Sequence, residues 1–329
     1  MTDRHMIRRR GLALLAGAAL ALPRLGAAQD YPARAIRMIV PYPPGGASDV
    51  IARLLGPFMT EVLGQPIVVE NRPGANGGVA AEFVARSAPD GYTLLMGNAG
   101  PNALNQALYG TRLPYDSVRD FSPISMVSIV PMLLAANPEL PAKDLREAIA
   151  LAKARPGTLN YGHGGVGSAP HLTMEQLADI GGFQWTAVPF RGGQLAIAAV
   201  LGNQIPLLMD TSVTLVPQVR EGKLRGLAVT TLERVAQVPD VPTIAEQGFP
   251  GFEATSWGGI LGPANLPAPV VQRLHAAILH AMGRPETKST LAARGVIGRT
   301  STPEEFTAFI RAEVARWSAV VQKSGIKPE

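Results

Sequence analysis

Short apolar segments alternate with amphipathic segments of helix length along almost the whole chain after residue 30. Residues 36–40, 67–69 and 92–96 have the length and composition of strands, whereas residues 51–62 place their apolar side chains on one helical stripe. Such alternation with short turns is typical of a parallel or mixed sheet covered by helices. The sequence therefore predicts an α/β fold.

The alternation falls into two blocks. A long apolar stretch at residues 124–136, interrupted by Pro131, and a glycine-rich stretch at residues 255–261 have the character of strands that cross between the blocks. We therefore predict a first lobe of residues 29–127 and 256–329 and a second lobe of residues 128–255. A cleft is expected between them, with a hinge near Pro131 and Trp257. Two helices are expected to finish the chain, the second starting with a capping box at Thr302 and Glu305.

The first 28 residues have the pattern of an export signal. Arg8, Arg9 and Arg10 precede a 12-residue apolar run at residues 11–22, and small residues precede Gln29. The run is shorter than the roughly 20 residues that cross a bilayer. We predict a signal peptide cleaved near Ala28 and a periplasmic mature protein. The arginine pair leaves the general secretory and twin-arginine routes open.

Charge and composition exclude several classes of function. The first 28 residues carry +4 of the net charge of +5, so the rest of the chain has no basic excess for nucleic acid. The absence of cysteine excludes disulfides and thiolate chemistry. His275 and His280 are five residues apart and lie on different helix faces, which is not a metal-ligand spacing. We expect no metal, no cofactor and no nucleic-acid partner, and a monomeric protein.

The loop at residues 42–49 is the first candidate binding element. Gly45 and Gly46 have no side chains where the first strand turns into a helix, so backbone N–H groups can converge on an anion at the helix N-terminus. An ordinary tight turn is the alternative. A valine at Gly46 is expected to obstruct these amides and to be strained in the glycine's backbone conformation. Tyr42 and Asn98 each end a strand of the same block.

A second glycine-rich loop, at residues 162–171, leads into the helix predicted to start near Ala169. Gly162, Gly164 and Gly167 match the pattern G-x-G-x-x-G, but no acidic residue follows about 20 positions later. A dinucleotide site is therefore rejected, and anion binding is retained. Ser168 is interpreted as the N-cap of this helix, with His171 in its first turn. A hydrolase using this pair is an alternative, although Ser168 lacks the flanking glycines of a nucleophile elbow.

Arg191 and Asp210 each follow a predicted strand, where open α/β sheets bind their ligands. Arg191 could pair with a ligand carboxylate or be a solvated turn residue. Asp210 could accept a hydrogen bond from a ligand hydroxyl or ammonium group, or cap the helix that starts near Ser212. The capping role is slightly favoured.

The chain resembles the Bug-type receptors of tripartite tricarboxylate transporters. The matching segments are PYPPGGASD at 41–49, VENRPGA at 69–75, DGYTLL at 90–95, VPFRG at 188–192 and GKLR at 222–225, with Gly167-Ser168 and His171-Leu172 among them. They follow the family order over essentially the whole mature chain. The resemblance implies a two-lobed periplasmic-binding-protein fold (Venus flytrap, type II) with two chain crossings, and no catalysis.

The same resemblance implies a function and a set of ligand-contacting residues. A receptor of this kind captures a small organic carboxylate in the cleft, largely through backbone amides and bridging water, and delivers it to membrane permease subunits. A module that presents its ligand to a membrane sensor is an alternative. The corresponding loop residues are Tyr42, Gly45, Gly46, Ala47, Ser48, Asp49, Gly165, Val166, Gly167, Ser168 and His171.

Two positions depart from the family pattern. The segment after the third strand has Asn98 in place of the usual hydroxyl residues, and Met209 precedes Asp210 where the family commonly has an aromatic residue. These departures predict a ligand that is smaller or less charged than the usual di- or tricarboxylate.

Overall fold

The structure, a computed structural model, describes residues 31–324, so the predicted signal peptide lies outside the described residues. The strands are β1 (Ile36–Val40), β2 (Ile67–Asn71), β3 (Thr93–Asn98), β4 (Phe121–Ala136), β5 (Asn160–His163), β6 (Thr186–Pro189), β7 (Leu207–Thr211), β8 (Arg225–Val229), β9 (Thr255–Pro263) and β10 (Ile297–Gly298). The α-helices are α1 (Ala47–Leu63), α2 (Gly78–Ala85), α3 (Asn105–Tyr109), α4 (Leu145–Ala154), α5 (Ala169–Gly181), α6 (Gly193–Leu201), α7 (Ser212–Arg220), α8 (Ala268–Gly283), α9 (Pro285–Ala293) and α10 (Pro303–Ser324). None of these helices combines the length and hydrophobicity that a bilayer crossing requires.

The 16-residue strand β4 joins the two lobes. Up to Pro131 it pairs antiparallel with β9, and from Met132 to Ala136 it lies between β7 and β8. The first lobe therefore has the order β2–β1–β3–β9–β4, and the second continues as β4–β7–β5–β6. The predicted two-lobed α/β fold with two crossings is confirmed. The exact lobe boundaries stay a prediction, since β4 belongs to both sheets.

Pro131 lies at the point where the pairing partners of β4 change. It is paired with Thr255, the first residue of β9, and the next residue pairs with Thr211 of β7. A proline has no N–H to donate to a ladder, so it is best tolerated where a ladder begins or ends. The interruption seen in the apolar run therefore coincides with the junction of the two sheets.

Three helices follow β9, so the expectation of two was wrong. The helix α8 ends at Gly283 and α9 begins at Pro285, because proline fits the first turn of a helix and cannot continue the preceding one. The capping box of α10 is confirmed. The Thr302 N–H donates to Glu305 Oε2 at 2.9 Å, and the Glu305 N–H donates to Thr302 Oγ1 at 3.1 Å.

The helix α10 packs its aromatic side chains against the returning strand β9. Trp257 is 2% exposed and contacts the ring edge of Phe306, with 5.6 Å between the ring centroids. The indole N–H groups of Trp257 and Trp317 both donate to Glu313 Oε2, at 3.1 and 3.2 Å. A buried carboxylate with two donors is well satisfied. This contact fixes β9, and with it one wall of the cleft, against the first lobe.

Replacing Phe306 with alanine should reduce the free energy of unfolding by about 3–5 kcal/mol, because the ring is fully buried and its removal leaves a cavity beside Trp257. Urea denaturation measures this change. Arg311→Ala, an exposed position on the same helix, is the control and should change it by less than about 0.5 kcal/mol. Equal effects of the two variants would contradict the assigned packing.

Candidate ligand-binding site

A cavity of about 380 Å³ lies between the two lobes. The turns that follow β1, β3, β5, β6 and β7 contribute to its walls, and β4 and β9 line it where they cross. Binding between lobes and beyond the carboxyl ends of strands is the usual arrangement for a small-molecule site, and the volume suits a ligand of modest size. The cavity is therefore the candidate site.

The structure brings eight of the predicted site residues into the lining of this cavity. They are Tyr42, Gly46, Ala47, Ser48, Asn98, Ser168, Arg191 and Asp210. The other six belong to the two glycine-rich loops, at residues 42–49 and 162–171, but are not among the lining residues. They are Gly45, Asp49, Gly165, Val166, Gly167 and His171.

Four helices begin at the wall of the cavity. The first residues of α1 and α5, from opposite lobes, are lining residues, and so are the first residue of α6 and Thr211, the N-cap residue of α7. The first N–H groups of a helix have no intrahelical acceptor, and the helix dipole places partial positive charge there. The cavity therefore offers anion-binding groups from both lobes without a buried lysine or arginine.

Asp49 shapes the first loop from outside the cavity lining. Its Oδ2 accepts from the Gly45 N–H, and its Oδ1 accepts from Arg53 Nε and Asn71 Nδ2, all at 2.9 Å. Desolvation acts to raise the pKa of Asp49, but these hydrogen bonds outweigh it and hold the pKa below its usual value. Asp49 is thus a charged scaffold for the turn that presents the N-terminus of α1.

The two glycines of this loop differ in their backbone conformation. Gly45 has a φ of 84°, the left-handed region, whereas Gly46 has a φ of −75° and a ψ of 169°, which any residue adopts. The expectation that a side chain at Gly46 would be strained was therefore wrong. A side chain would be strained at Gly45 instead. The nearest atom to a Cβ on Gly46 would be the Pro43 carbonyl oxygen, 3.6 Å away.

Tyr42 and Asn98 form a hydrogen-bonded wall on the first lobe. The Tyr42 hydroxyl donates to Asn76 Oδ1 at 3.1 Å, and Asn98 Nδ2 donates to Ser48 Oγ at 3.2 Å. Asn98 Oδ1 also accepts from the Gly100 N–H at 3.0 Å, in the turn after β3. Desolvation raises the pKa of Tyr42, so its hydroxyl stays protonated at neutral pH. This wall is neutral.

The second loop has the geometry of a helix cap, as predicted. Ser168 Oγ accepts from the backbone N–H of His171 at 3.5 Å, and His171 Nδ1 accepts from the Gly167 N–H at 3.1 Å. The ring of His163, on β5, stacks on His171 with 4.4 Å between centroids. Burial, together with His171, lowers the pKa of His163 to about 4, so it is neutral at physiological pH.

Arg191 and Asp210 occupy contrasting positions. Arg191 is exposed, whereas Asp210 at the end of β7 is only 9% exposed. Asp210 Oδ1 accepts from the Thr211 N–H at 2.7 Å, and Oδ2 has no hydrogen-bond partner. Burial raises the pKa of Asp210 to about 6. The favoured capping role was wrong, because Thr211 is the N-cap residue of α7 and Asp210 is left to face the cavity.

Sequence reasoning missed the contribution of the crossing strands. Ser128 on β4 and Ser256 on β9 line the cavity, as does Thr214 in the first turn of α7. Ser128 is fully buried opposite Gly258, and its Oγ has no hydrogen-bond partner. The serines inside the apolar stretch of this crossing strand, Ser125 and Ser128, are the signal that could have pointed to it. The missed apolar wall consists of Ile51, Met96, Val130, Leu195 and Trp257.

Two hydrogen bonds connect the lobes beside the cavity. Asn76 Nδ2 donates to the Gly167 carbonyl, and Gln194 Nε2 donates to the Gly45 carbonyl, both at 2.9 Å. Asn76 has left-handed backbone angles (φ 48°, ψ 43°) and also accepts from Tyr42. A single side chain thus links the wall of the first lobe to the binding loop of the second.

The sequence model of a protein family described as "Tripartite tricarboxylate transporter family receptor" matches residues 51–326 of the chain. The chain belongs to this receptor family. Protein BugT of Bordetella pertussis is 36% identical over 301 residues, which are 91% of this chain and 92% of BugT. The predicted Bug-type relationship is confirmed. Because the family consists of receptors, the prediction of a solute-binding protein rather than an enzyme agrees with it.

Solved structures of similar receptors share the whole fold. R. palustris Rpa4515 with adipate has a TM-score of 0.87 and 34% identity, with 91% of this chain and 100% of that chain covered. MatC from Rhodopseudomonas palustris with bound malate has a TM-score of 0.84 and 35% identity, with 88% of this chain and 100% of that chain covered.

Within residues 31–324, no group of three or more His, Cys, Asp or Glu side chains could hold a metal ion.

Asn76→Gly should favour a more open form of this receptor, because glycine keeps the left-handed backbone but loses the bond to Gly167. Small-angle X-ray scattering without added ligand should show a larger radius of gyration than for the wild type. Asn203→Gly is the control, since Asn203 is an exposed left-handed asparagine (φ 53°) on the surface of the second lobe. Unchanged scattering for Asn76→Gly would contradict the linking role.

Asp210→Asn should remove one component of the pH dependence of stability. The folded-state pKa of about 6 exceeds the ordinary aspartate pKa of 3.8, so ionisation of Asp210 destabilises the fold progressively as pH rises through this window. Above it the variant should be more stable than the wild type by up to about 3 kcal/mol, at about 1.4 kcal/mol per pKa unit. Denaturation from pH 4 to 7.5 measures the difference. The exposed Asp179→Asn control should retain the wild-type slope.

Proposed function

We propose that the protein is a periplasmic receptor that binds a small organic carboxylate in the interlobe cavity and delivers it to the membrane permease of a tripartite transporter. One observation carries the proposal: the N-termini of α1 and α5 belong to different lobes and open into the same cavity. A carboxylate held by both would favour the closed arrangement of the lobes.

The predicted site residues have different roles in ligand binding. Gly46, Ala47 and Ser48 present the N-terminus of α1, while Ser168 presents that of α5. Asp49 and Asn98 hold the first loop in shape, and Arg191 adds a positive charge at an exposed position. Gly165, Val166, Gly167 and His171 form the turn that brings Ser168 to the cavity.

The relatives support carboxylates as the ligand class, since Rpa4515 is described with adipate and MatC with bound malate. The predicted signal peptide would direct export and be cleaved near Ala28, and the receptor would act as a monomer. The family to which the chain belongs supports delivery to a permease. A membrane sensor as the recipient is the alternative that a transport assay with and without the permease would separate.

A hydrolase using Ser168 gains no support from the local geometry. Ser168 Oγ accepts a hydrogen bond from the backbone of His171, as a helix cap does, and His171 Nδ1 accepts from the Gly167 N–H. A serine nucleophile requires a base that takes its proton. The geometry around Ser168 is that of a helix cap and not of an activated nucleophile.

A thermal-shift screen over aliphatic, aromatic, hydroxy and amino acids tests the proposal. A carboxylate present at 100 times its dissociation constant should add about 2.7 kcal/mol to the free energy of unfolding. Amides or alcohols with the same skeleton serve as controls and should not stabilise the protein. Stabilisation by no carboxylate in a broad panel would refute the proposed function.

Gly46→Val should weaken binding of any acid found in the screen by at least about tenfold, because the side chain would stand in front of the amides of α1. It should cost about 1 kcal/mol of stability or less, since Gly46 has ordinary backbone angles and its Cβ has room. Titration calorimetry and urea denaturation measure the two effects. Gly45→Val, at a φ of 84°, should instead reduce stability. Full affinity in a folded Gly46→Val protein would remove this loop from the site.

A further inference from the structure

Two buried polar atoms of the cavity lining have no hydrogen-bond partner. One is Oδ2 of Asp210, a residue that is 91% buried, and the other is Oγ of the fully buried Ser128. Nearly all buried polar atoms in proteins are hydrogen-bonded, and an unsatisfied one is costly. In a binding cavity, such atoms indicate where a ligand makes its own hydrogen bonds. Both atoms lie outside the two glycine-rich loops that receive the carboxylate in the proposed function.

Asp210 occupies the positive ends of two helices of the second lobe. Its Oδ1 accepts from the N–H of Thr211, the N-cap residue of α7, and its Oδ2 packs against Gly193, the first residue of α6. A Cβ on Gly193 would collide with this oxygen, so the glycine makes room for the carboxylate. The dipoles of α6 and α7 are therefore already matched by a negative side chain. The N-termini of α1 and α5 remain for an anionic ligand group.

The other groups around Asp210 do not offset its charge inside the cavity. Tyr42 is close enough for the Asp210 charge to raise its pKa further, and it stays neutral. The hydroxyls of Thr211 and Thr214 act to lower the pKa of Asp210, but burial dominates. Arg191 is the positively charged residue of the cavity lining, and it is exposed and forms no ion pair with Asp210. A second ligand carboxylate near Asp210 would meet a like charge in a poorly solvated place.

We propose that the ligand has one carboxylate, held by α1 and α5, and at its other end a hydroxyl or ammonium group that donates a hydrogen bond to Asp210. The site thereby discriminates against acids with a second carboxylate at that end. Between the two ends the ligand has an apolar or aromatic body, because Ile51, Met96 and Trp257 line the space. This inference rests on the proposed function and adds the residue that sets ligand class.

Matched acids on one skeleton test the inference directly. One set is hexanoate, 6-hydroxyhexanoate, 6-aminohexanoate and adipate, and the other is benzoate, 4-hydroxybenzoate, 4-(aminomethyl)benzoate and terephthalate. Titration calorimetry at pH 7.5 should show, in at least one set, a donor-bearing acid binding about tenfold or more tighter than both the parent acid and the dicarboxylate. The hydroxy and amino members distinguish a neutral donor from a cationic one.

Asp210→Asn assigns the preference to this side chain. The amide keeps the shape, removes the charge and can itself donate, so the advantage of the donor-bearing acid should be lost and the dicarboxylate should gain affinity. Asp179→Asn makes the same chemical change at an exposed site of the second lobe and should preserve the wild-type order. The wild-type ranking tests the inference even if Asp210→Asn fails to fold.

The outcomes separate the two proposals. If a dicarboxylate binds tightest in every set that binds, the inference is overturned while the proposed function stands. An unchanged ligand order in a folded Asp210→Asn protein also overturns it. Binding of none of these acids, together with no response in the broad carboxylate screen, refutes the proposed function and the inference with it.

Discussion

The backbone hydrogen bonds of β4 hold the two lobes together, and the position of the cavity depends on them. One strand pairs with β9 along its first eleven residues and with β7 and β8 along its last five. A strand shared by two sheets places the carboxyl ends of the parallel strands of both lobes toward one cleft. The helices that follow those strands then begin at the same place. The convergence of helix N-termini is thus a consequence of topology rather than of individual side chains.

Two aspartates near these helix ends have opposite electrostatic roles. Asp49 is surrounded by donors from Gly45, Arg53 and Asn71, so its ionised form is stabilised and its pKa lies below the usual value. Asp210 has the Thr211 amide for one oxygen and no partner for the other, so desolvation dominates and its pKa rises to about 6. The first aspartate supports the shape of a binding loop. The second remains chemically available to the cavity.

The interlobe hydrogen bonds explain how a binding loop in one lobe can respond to the other. Asn76 joins Tyr42 of the first lobe to the Gly167 carbonyl of the second, and Gln194 joins the second lobe to Gly45. Both acceptors of these interlobe bonds are carbonyls of glycine-rich loops. The opposite lobe therefore contacts both glycine-rich loops directly, through carbonyls that leave the N–H groups of these loops and helices to an anion.

Periodicity, proline and glycine positions were sufficient to predict most elements of the structure. The strand at residues 36–40, the helix from Ala169, the Ser168 cap and the capping box at Thr302 were all predictable, because each depends on residues close together in the chain. The helical segment that includes α3 was missed, and so was the break at Pro285 that separates α8 from α9.

The sequence by itself determined the strand–helix alternation, the two glycine-rich turns and the crossing strands, since local backbone preference and hydrophobic pattern specify them. Only the tertiary structure decided which of these groups share a cavity. Asp210 lies two residues before the start of α7 and reads as a cap, yet it lines the cavity, and its Oδ2, packed close to Gly193, has no hydrogen-bond partner. Ser128 is buried in a strand that is mostly apolar, and its Oγ has room because Gly258 lies opposite, where a Cβ would collide with it. Burial and hydrogen-bond partners set the character of a polar group, and both are contributed by residues far away in the sequence.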